Sequence, residues 1–246
     1  MLLLVSGEGP GDIGVSSLSQ SECDTAGFNA GPLTLMIDQF LQEQPKLQYS
    51  LLAAQSVYFV AKHYLADDIK PSSPKLMKIT GKKTSKETGY FYRNARAFAR
   101  YAQTLSARLQ RPVIAVLFRD ADGTASAGRG NWQDKHQSML AGFAEEGSAE
   151  VAVPMLAAPK SEAWFICACK QHPYQHCNAL ETRSGNDNSP HSLKAELASL
   201  VTDNSTVGIN NLVESGVIDI HRIDMPSLNE FKRRLSNAVA YIPVEI

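Results

Sequence analysis

Two short apolar runs in this chain each empty at once into a loop made of glycine and acid. Residues 2–6 run into Gly7-Glu8-Gly9-Pro10-Gly11-Asp12. Residues 113–118 run into Arg119-Asp120-Ala121-Asp122-Gly123. A β-rich apolar run that stops at glycine reads as a buried strand followed by a loop needing unusual backbone freedom. Any fold for this chain must therefore place two strand ends where acids can be displayed.

The intervening pattern narrows the class. From Pro32, residues Leu33, Met36, Ile37, Phe40 and Leu41 follow the spacing of an amphipathic helix. Residues 54–65 read as helix, although Val57, Tyr58, Phe59 and Val60 suit a strand equally well. Residues 70–89 hold prolines, glycines and many lysines and read as a loop. Phe91, Ala95, Phe98, Ala102, Leu105 and Leu109 predict a second helix, ended by Arg111-Pro112. Helix is expected over 133–143 and strand over 151–156, with Pro154 pointing to an irregular or edge position. Residues 161–169 start a helix with Ser161 as its cap. Strands alternating with helices predict an α/β fold, a mainly parallel sheet flanked by helices. Residues 1–170 form the expected core. Residues 171–246 change character and carry three short helices, near 193–201, 207–214 and 228–239, read as a helical appendage packed on that core.

Length and composition exclude little beyond this. The chain has 246 residues, 43% hydrophobic and 20% charged, with a formal net charge of −1. Those values suit an ordinary folded protein. The apolar start is too short for a signal peptide, and no stretch is long enough to span a membrane, so a cytoplasmic protein is expected. Cys23, Cys167, Cys169 and Cys177 are then expected as free thiols.

Open α/β sheets bind ligands beyond the carboxyl ends of their strands. Glu8 and Asp12 follow the first strand, Asp120 and Asp122 a later one, and Glu162 lies just past the strand at 151–156. Asp120 and Asp122 are two residues apart, so an extended backbone would project them to the same side. Two close carboxylates repel unless a cation joins them, and Mg2+ accepts such oxygen ligands. The plainer reading of Asp-x-Asp-Gly is a turn in which Asp caps backbone N–H groups.

With both loops in view, the chain resembles the Toprim domains of topoisomerases, primases and OLD-type nucleases. Those carry a glutamate after the first strand and Asp-x-Asp after a later one. Ser6-Gly7-Glu8-Gly9-Pro10-Gly11-Asp12 and Phe118-Arg119-Asp120-Ala121-Asp122-Gly123 match both motifs in that order. Pro159-Lys160-Ser161-Glu162-Ala163-Trp164-Phe165 and Ser184-Gly185-Asn186-Asp187 resemble a narrower, Toprim-related bacterial family with no settled function. The resemblance implies that Glu8 acts as general acid/base or binds a second metal. It implies that Asp120 and Asp122 bind Mg2+, for which Mn2+ would substitute. Glu162 would be a further ligand or would hold one in place, and Asp12 would be a secondary acid. The implied chemistry is metal-assisted phosphodiester hydrolysis. Topoisomerases also need a nucleophilic tyrosine, which nothing here identifies.

Between Lys70 and Arg108 lie ten basic residues against the single acid Glu87. Lys82, Lys83, Lys86, Arg93, Arg96 and Arg100 are the candidates for contact with DNA or RNA, the three arginines at helical spacing. Tyr90, Phe91 or Tyr92 would stack on a base. The alternative is a solvated helix face beside a lysine-rich loop. Cys167, Cys169, His172, His176 and Cys177 crowd together but lack zinc-site spacing. His136 follows the Asp120 loop and would approach a phosphate. Trp164 reads as core.

Three functions follow from these residues. The first is a Mg2+-dependent endonuclease, the resemblance adding a role in defence against phage. The second is a non-catalytic subunit binding nucleic acid or nucleotide. The third is a small-molecule phosphatase or phosphotransferase. There is no P-loop in the chain, so any ATPase would be a separate partner. DNA against RNA and the oligomeric state stay open, a homodimer included.

Overall fold

The first apolar run does form the central strand. In the computed structural model, which describes residues 1–9, 11–68, 84–121 and 131–243, β1 (Leu2–Ser6) is buried along its whole length. It pairs in parallel with β5 (Val57–Val60) on one side and β6 (Val113–Asp120) on the other. β6 in turn pairs in parallel with β7 (Ala152–Ala157). β3 (Glu22–Asp24) lies antiparallel on the outside of β5. The sheet order is β3-β5-β1-β6-β7. A separate ribbon pairs β2 (Gly14–Ser16) with β4 (Phe28–Ala30). The mainly parallel α/β architecture expected from the sequence is thus observed. Pro154 does sit on an edge strand, where its missing N–H leaves no central ladder broken.

Side chains alternate across the sheet and so build two cores. Leu3, Val5, Ile114, Val116 and Phe118 face α1 (Pro32–Gln42), α5 (Glu162–Cys169) and α8 (Pro226–Tyr241). Leu2, Leu4, Ala115 and Leu117 face α3 (Thr84–Leu109) and α4 (Trp132–Glu145). α6 (Leu193–Leu200), α7 (Thr206–Glu214) and α8 contribute Leu193, Ile209 and Leu228 to the first core. The C-terminal helices, and α8 against β7 in particular, therefore complete one face of the sheet.

Some expectations need correction. Residues 57–60 take the strand alternative, and α2 (Lys62–Asp68) follows only afterwards. A strand between β1 and β3 gains a complete backbone ladder, which overrides four apolar residues' ambiguous local preference. Residues 84–89, read as loop, are the first turns of α3, since Lys and Glu are good helix formers and one glycine costs only about 1 kcal/mol. The rest of the expected loop, 69–83, lies outside the described residues. The cysteine expectation also fails: Cys167 and Cys177 form a disulfide, their Cα atoms 5.4 Å apart, while Cys23 and Cys169 are free. A turn after α5 folds residue 177 back against the helix, which spacing alone did not reveal. No helix among the described residues is long and apolar enough to cross a membrane.

Candidate active site at the carboxyl edge of the sheet

β1 continues to β5 on one side and the chain later returns to β6 on the other, so the connections part between β1 and β6. That switch point is where an open α/β sheet leaves a crevice. The two acid loops are those that leave β1 and β6.

The first loop is fixed by packing. A Cβ on Gly7 would lie 2.6 Å from Ile13 Cγ1, so the chain passes too close for any side chain. Asp12 is anchored through its backbone: its carbonyl accepts the Leu33 N–H of α1 at 3.0 Å, and the Ile13 carbonyl accepts the Thr34 hydroxyl at 2.6 Å. Gly31 permits this approach, because a Cβ there would stand 2.3 Å from the Asp12 carbonyl oxygen.

Ser161 joins the two loops. Its hydroxyl donates to Asp12 Oδ1 at 2.7 Å, and its backbone N–H donates to Asp120 Oδ1 at 3.0 Å. Ser161 is thus not a side-chain cap of α5, as the sequence suggested. It lies at the N-cap with a helical backbone and makes no capping bond, because its hydroxyl is engaged by an acid 149 residues away. Glu162 opens the first turn of α5 beside it. Burial pushes the Asp12 carboxyl up to about 6, opposed by the Ser161 hydroxyl and reinforced by the negative charges of Glu162 and Glu8, with Lys160 giving slight relief. Four acids from three strand ends are therefore close enough to influence one another or share a serine. The fifth, Asp122, lies outside the described residues.

Glu8 is held on the other side. Leu4, Ser6 and Glu8 share one side of the chain's alternation, so Glu8 meets the face covered by α3. Its Oε1 lies 3.7 Å from Lys62 Nζ, 3.7 Å from Arg119 Nε and 3.5 Å from the Tyr90 hydroxyl. Arg119 is 0% exposed. It donates to the Phe118 carbonyl at 2.6 Å and to Asn94 Oδ1 at 3.0 Å, while its Nε has no hydrogen-bond partner among the described residues. Burial pulls the guanidinium down from its ordinary range. Lys135 of α4 is also buried, donates to the Ala121 carbonyl and lies over the Phe91 ring. Sequence reading missed Arg119, Lys135 and Lys62, and it took Tyr90 for a base-stacking candidate when its hydroxyl faces Glu8. Arg119 had a usable signal, a cation beside Asp120 inside an otherwise apolar strand.

The basic candidates divide. Lys82 and Lys83 lie outside the described residues, and Lys86 is placed only as part of α3. Arg93 is exposed. Arg96 Nε sits 2.6 Å and Arg100 Nη2 2.8 Å from Glu146 Oε1 at the C-cap of α4, so the acid opposing this stripe comes from the end of a neighbouring helix. Phe91 is buried and the Tyr92 hydroxyl donates to Glu145. His136 turns toward α8 instead of the acid loops: it is buried, stacks on Trp132 at 4.7 Å and faces Glu230. Trp164 is fully buried, its Nε1 donating to Ser227 Oγ at 3.0 Å. The disulfide withdraws both Cys167 and Cys177 from metal binding.

The donor chemistry at Asp12, Asp120 and Glu162 is that of a hard, oxygen-preferring dication. An acid driven toward protonation by its neighbours is also what such a cation would relieve. Among the described residues, no three Asp, Glu, His or Cys side chains are arranged to hold a metal ion. Asp122, expected from the sequence as a further ligand, lies outside the described residues. Comparison with protein-family models, with curated proteins and with solved structures finds no match for this chain.

Proposed function

We propose that this chain is a Mg2+-dependent nuclease that hydrolyses phosphodiester bonds in DNA or RNA at the β1/β6 switch point. The observation that carries the reading is the Ser161 bridge, which ties Asp12 to Asp120 with Glu162 and Glu8 within electrostatic reach. Asp12, Asp120 and Asp122 would hold Mg2+, with Glu162 as a further ligand or support. The bound cation would supply a water of lowered pKa and stabilise charge on the departing oxygen. Glu8, fixed by Lys62, Arg119 and Tyr90, would accept or return a proton at its Oε atoms. Arg93 remains an exposed cation for the nucleic-acid backbone, with Lys82 and Lys83 as further candidates.

The test is a cleavage panel on single- and double-stranded DNA and on tRNA, with wild type and Asp120→Ala. Mg2+ or Mn2+ should support cutting, EDTA should stop it, and Asp120→Ala should lower the rate by roughly 100-fold or more. Equal cutting by both proteins would show contamination and overturn the reading. Binding without cutting on every substrate would replace it with the non-catalytic subunit.

Residence in the cytoplasm, action in phage defence and pairing with a separate ATPase belong to the same proposal. The Cys167–Cys177 bond weighs against the first, because disulfides are rare in cytosolic proteins. Alkylation at the moment of cell lysis would decide it: four titratable thiols fit a reducing compartment, and two would end that part of the proposal.

A further inference from the structure

Beyond the acid loops, beside the end of edge strand β7, α4, α8 and the turn at Glu181 line an open pocket of about 430 Å3. That lies within the size range of small-molecule sites, roughly 300–1,000 Å3. Its wall includes Trp132, Gln133, His136, Glu181, Ser227 and Glu230. The rim touches Ala158, which immediately follows β7 and lies three residues before the Ser161 bridge.

The groups in the wall have a definite chemical bias. His136 is 3% exposed, and its Nε2 has no hydrogen-bond partner among the described residues. Glu230 Oε1 faces it at 3.9 Å, beyond hydrogen-bond range. Burial, with Arg234 nearby, pulls His136 down to about 4, so the ring is neutral near pH 7. Glu181 receives both the N–H and the hydroxyl of Ser227 on Oε1, leaving Oε2 with no hydrogen bond among the described residues. Glu230 is anchored by Arg233 and Arg234. Trp132 is held in place, its Nε1 donating to the Leu156 carbonyl at 2.9 Å and one ring face stacked on His136. Gln133 stands on the same face of α4 as His136 and is exposed. The cavity thus offers the Trp132 ring, a Glu181 carboxylate with one oxygen outside its hydrogen bonds to Ser227, and a Glu230 carboxylate held by two arginines.

The geometry points to a pocket for a single unpaired nucleobase that carries an exocyclic amino group, turned out of the strand. An aromatic plane stacks any base. The carboxylates accept from an amino group and would repel a carbonyl oxygen at the same place, which favours cytosine, adenine or guanine over uracil and thymine. Cleavage is not needed for this binding, so the pocket stands or falls separately from the acid site.

The test uses the full-length chain in EDTA, with cytidine and uridine as probes, because the two differ at the group in question. The chain has two tryptophans. Trp164 is buried, so a ligand-dependent change in emission reports Trp132. Cytidine should quench emission saturably and bind at least roughly tenfold tighter than uridine. Trp132→Leu should weaken cytidine binding by roughly tenfold or more in calorimetry, the scale of one lost stacking contact. Should that variant melt early, Glu181→Gln provides the second reading: it should shrink the cytidine preference while the protein stays folded by circular dichroism. Absence of quenching and of heat with cytidine on folded wild type would overturn the proposal. So would equal affinity for cytidine and uridine. Loss of cleavage with retained cytidine binding would count against the nuclease reading alone.

Discussion

Glu8 and Asp12 leave the same strand only four residues apart, yet the protein treats them in opposite ways. Glu8 is set among cations: Lys62 and Arg119 each stand 3.7 Å from one of its oxygens. Asp12 is set among acids, with the Ser161 hydroxyl and a weak contribution from Lys160 to offset them, and its proton is held up to about 6. The cause is the alternation of β6. Arg119 turns to the α3/α4 face where Glu8 arrives, and Asp120 turns to the α5 face where Asp12 arrives. One side of the crevice is electrostatically closed on itself. The other is left wanting positive charge, and that is the side where an added cation would do most.

The closed side should break hardest. Arg119→Met would strand Asn94 Oδ1 and the Phe118 carbonyl in the interior and would remove the buried countercharge of Glu8. A loss of roughly 3 kcal/mol is expected, since unpaired buried acceptors each cost about 1–3 kcal/mol. Denaturant unfolding at fixed pH measures it. A loss near zero would mean that the Arg119–Glu8 side is ornamental and that the contrast with Asp12 is overstated.

The open side should respond with the opposite sign. Native Asp12 holds its proton to about pH 6, whereas the unfolded carboxyl releases it near 3.8. Between those values the native state binds more protons than the unfolded state, so stability falls as pH rises. The loss is complete above about pH 6 and amounts to roughly 2–3 kcal/mol, at about 1.4 kcal/mol per pH unit. Asp12→Asn should therefore stabilise the metal-free protein by roughly that much at pH 7.5 and be neutral near pH 3.5. Melting curves across that range read it directly. Mg2+ should raise the melting temperature of wild type at pH 7.5 and leave Asp12→Asn nearly unmoved. A wild-type stability that, relative to Asp12→Asn, climbs from pH 4 to 6 would contradict the placement of Asp12 among acids.

How much of this contrast could be read in advance depended on range along the chain. The strand ends and their acids were legible, because the four apolar residues Leu2 to Val5 ahead of Gly7 and the six before Arg119 have no other use than burial. α1 was legible from its period, and β7's edge position from Pro154. What decides the electrostatics was not. Ser161 is a plausible helix cap by type, and only the fold brings an acid from 149 residues earlier onto its hydroxyl. Arg96 and Arg100 look unopposed along the chain, and Glu146 reaches them from another helix. β2, β3 and β4 are three residues each, too short for a period of two to rise above a Ser- and Gly-rich background. The disulfide was hidden for a like reason, since nothing in the sequence between Cys167 and Cys177 fixes the turn that closes it.

The smallest effect isolates the link between the two loops. Ser161→Ala removes the hydroxyl on Asp12 but keeps the backbone N–H that Asp120 uses, so it unlocks one acid and leaves the other in place. The hydroxyl favours the ionised carboxylate, so its loss should move the Asp12 titration further above 6. Ser161 is buried and the change deletes a single oxygen, so the stability cost should be only about 1 kcal/mol. The informative reading is carboxyl-carbon NMR of Asp12 through a pH titration in metal-free buffer, alongside the pH profile of any Mg2+-dependent cleavage. If the bridge is what holds the two acids ready for one cation, the acidic limb of the cleavage profile should shift upward in step with the Asp12 resonance. Asp120→Asn, by contrast, should abolish activity at every pH. A Ser161→Ala protein with an unchanged Asp12 titration would mean that burial alone sets that acid, and that the serine joins the loops without tuning them.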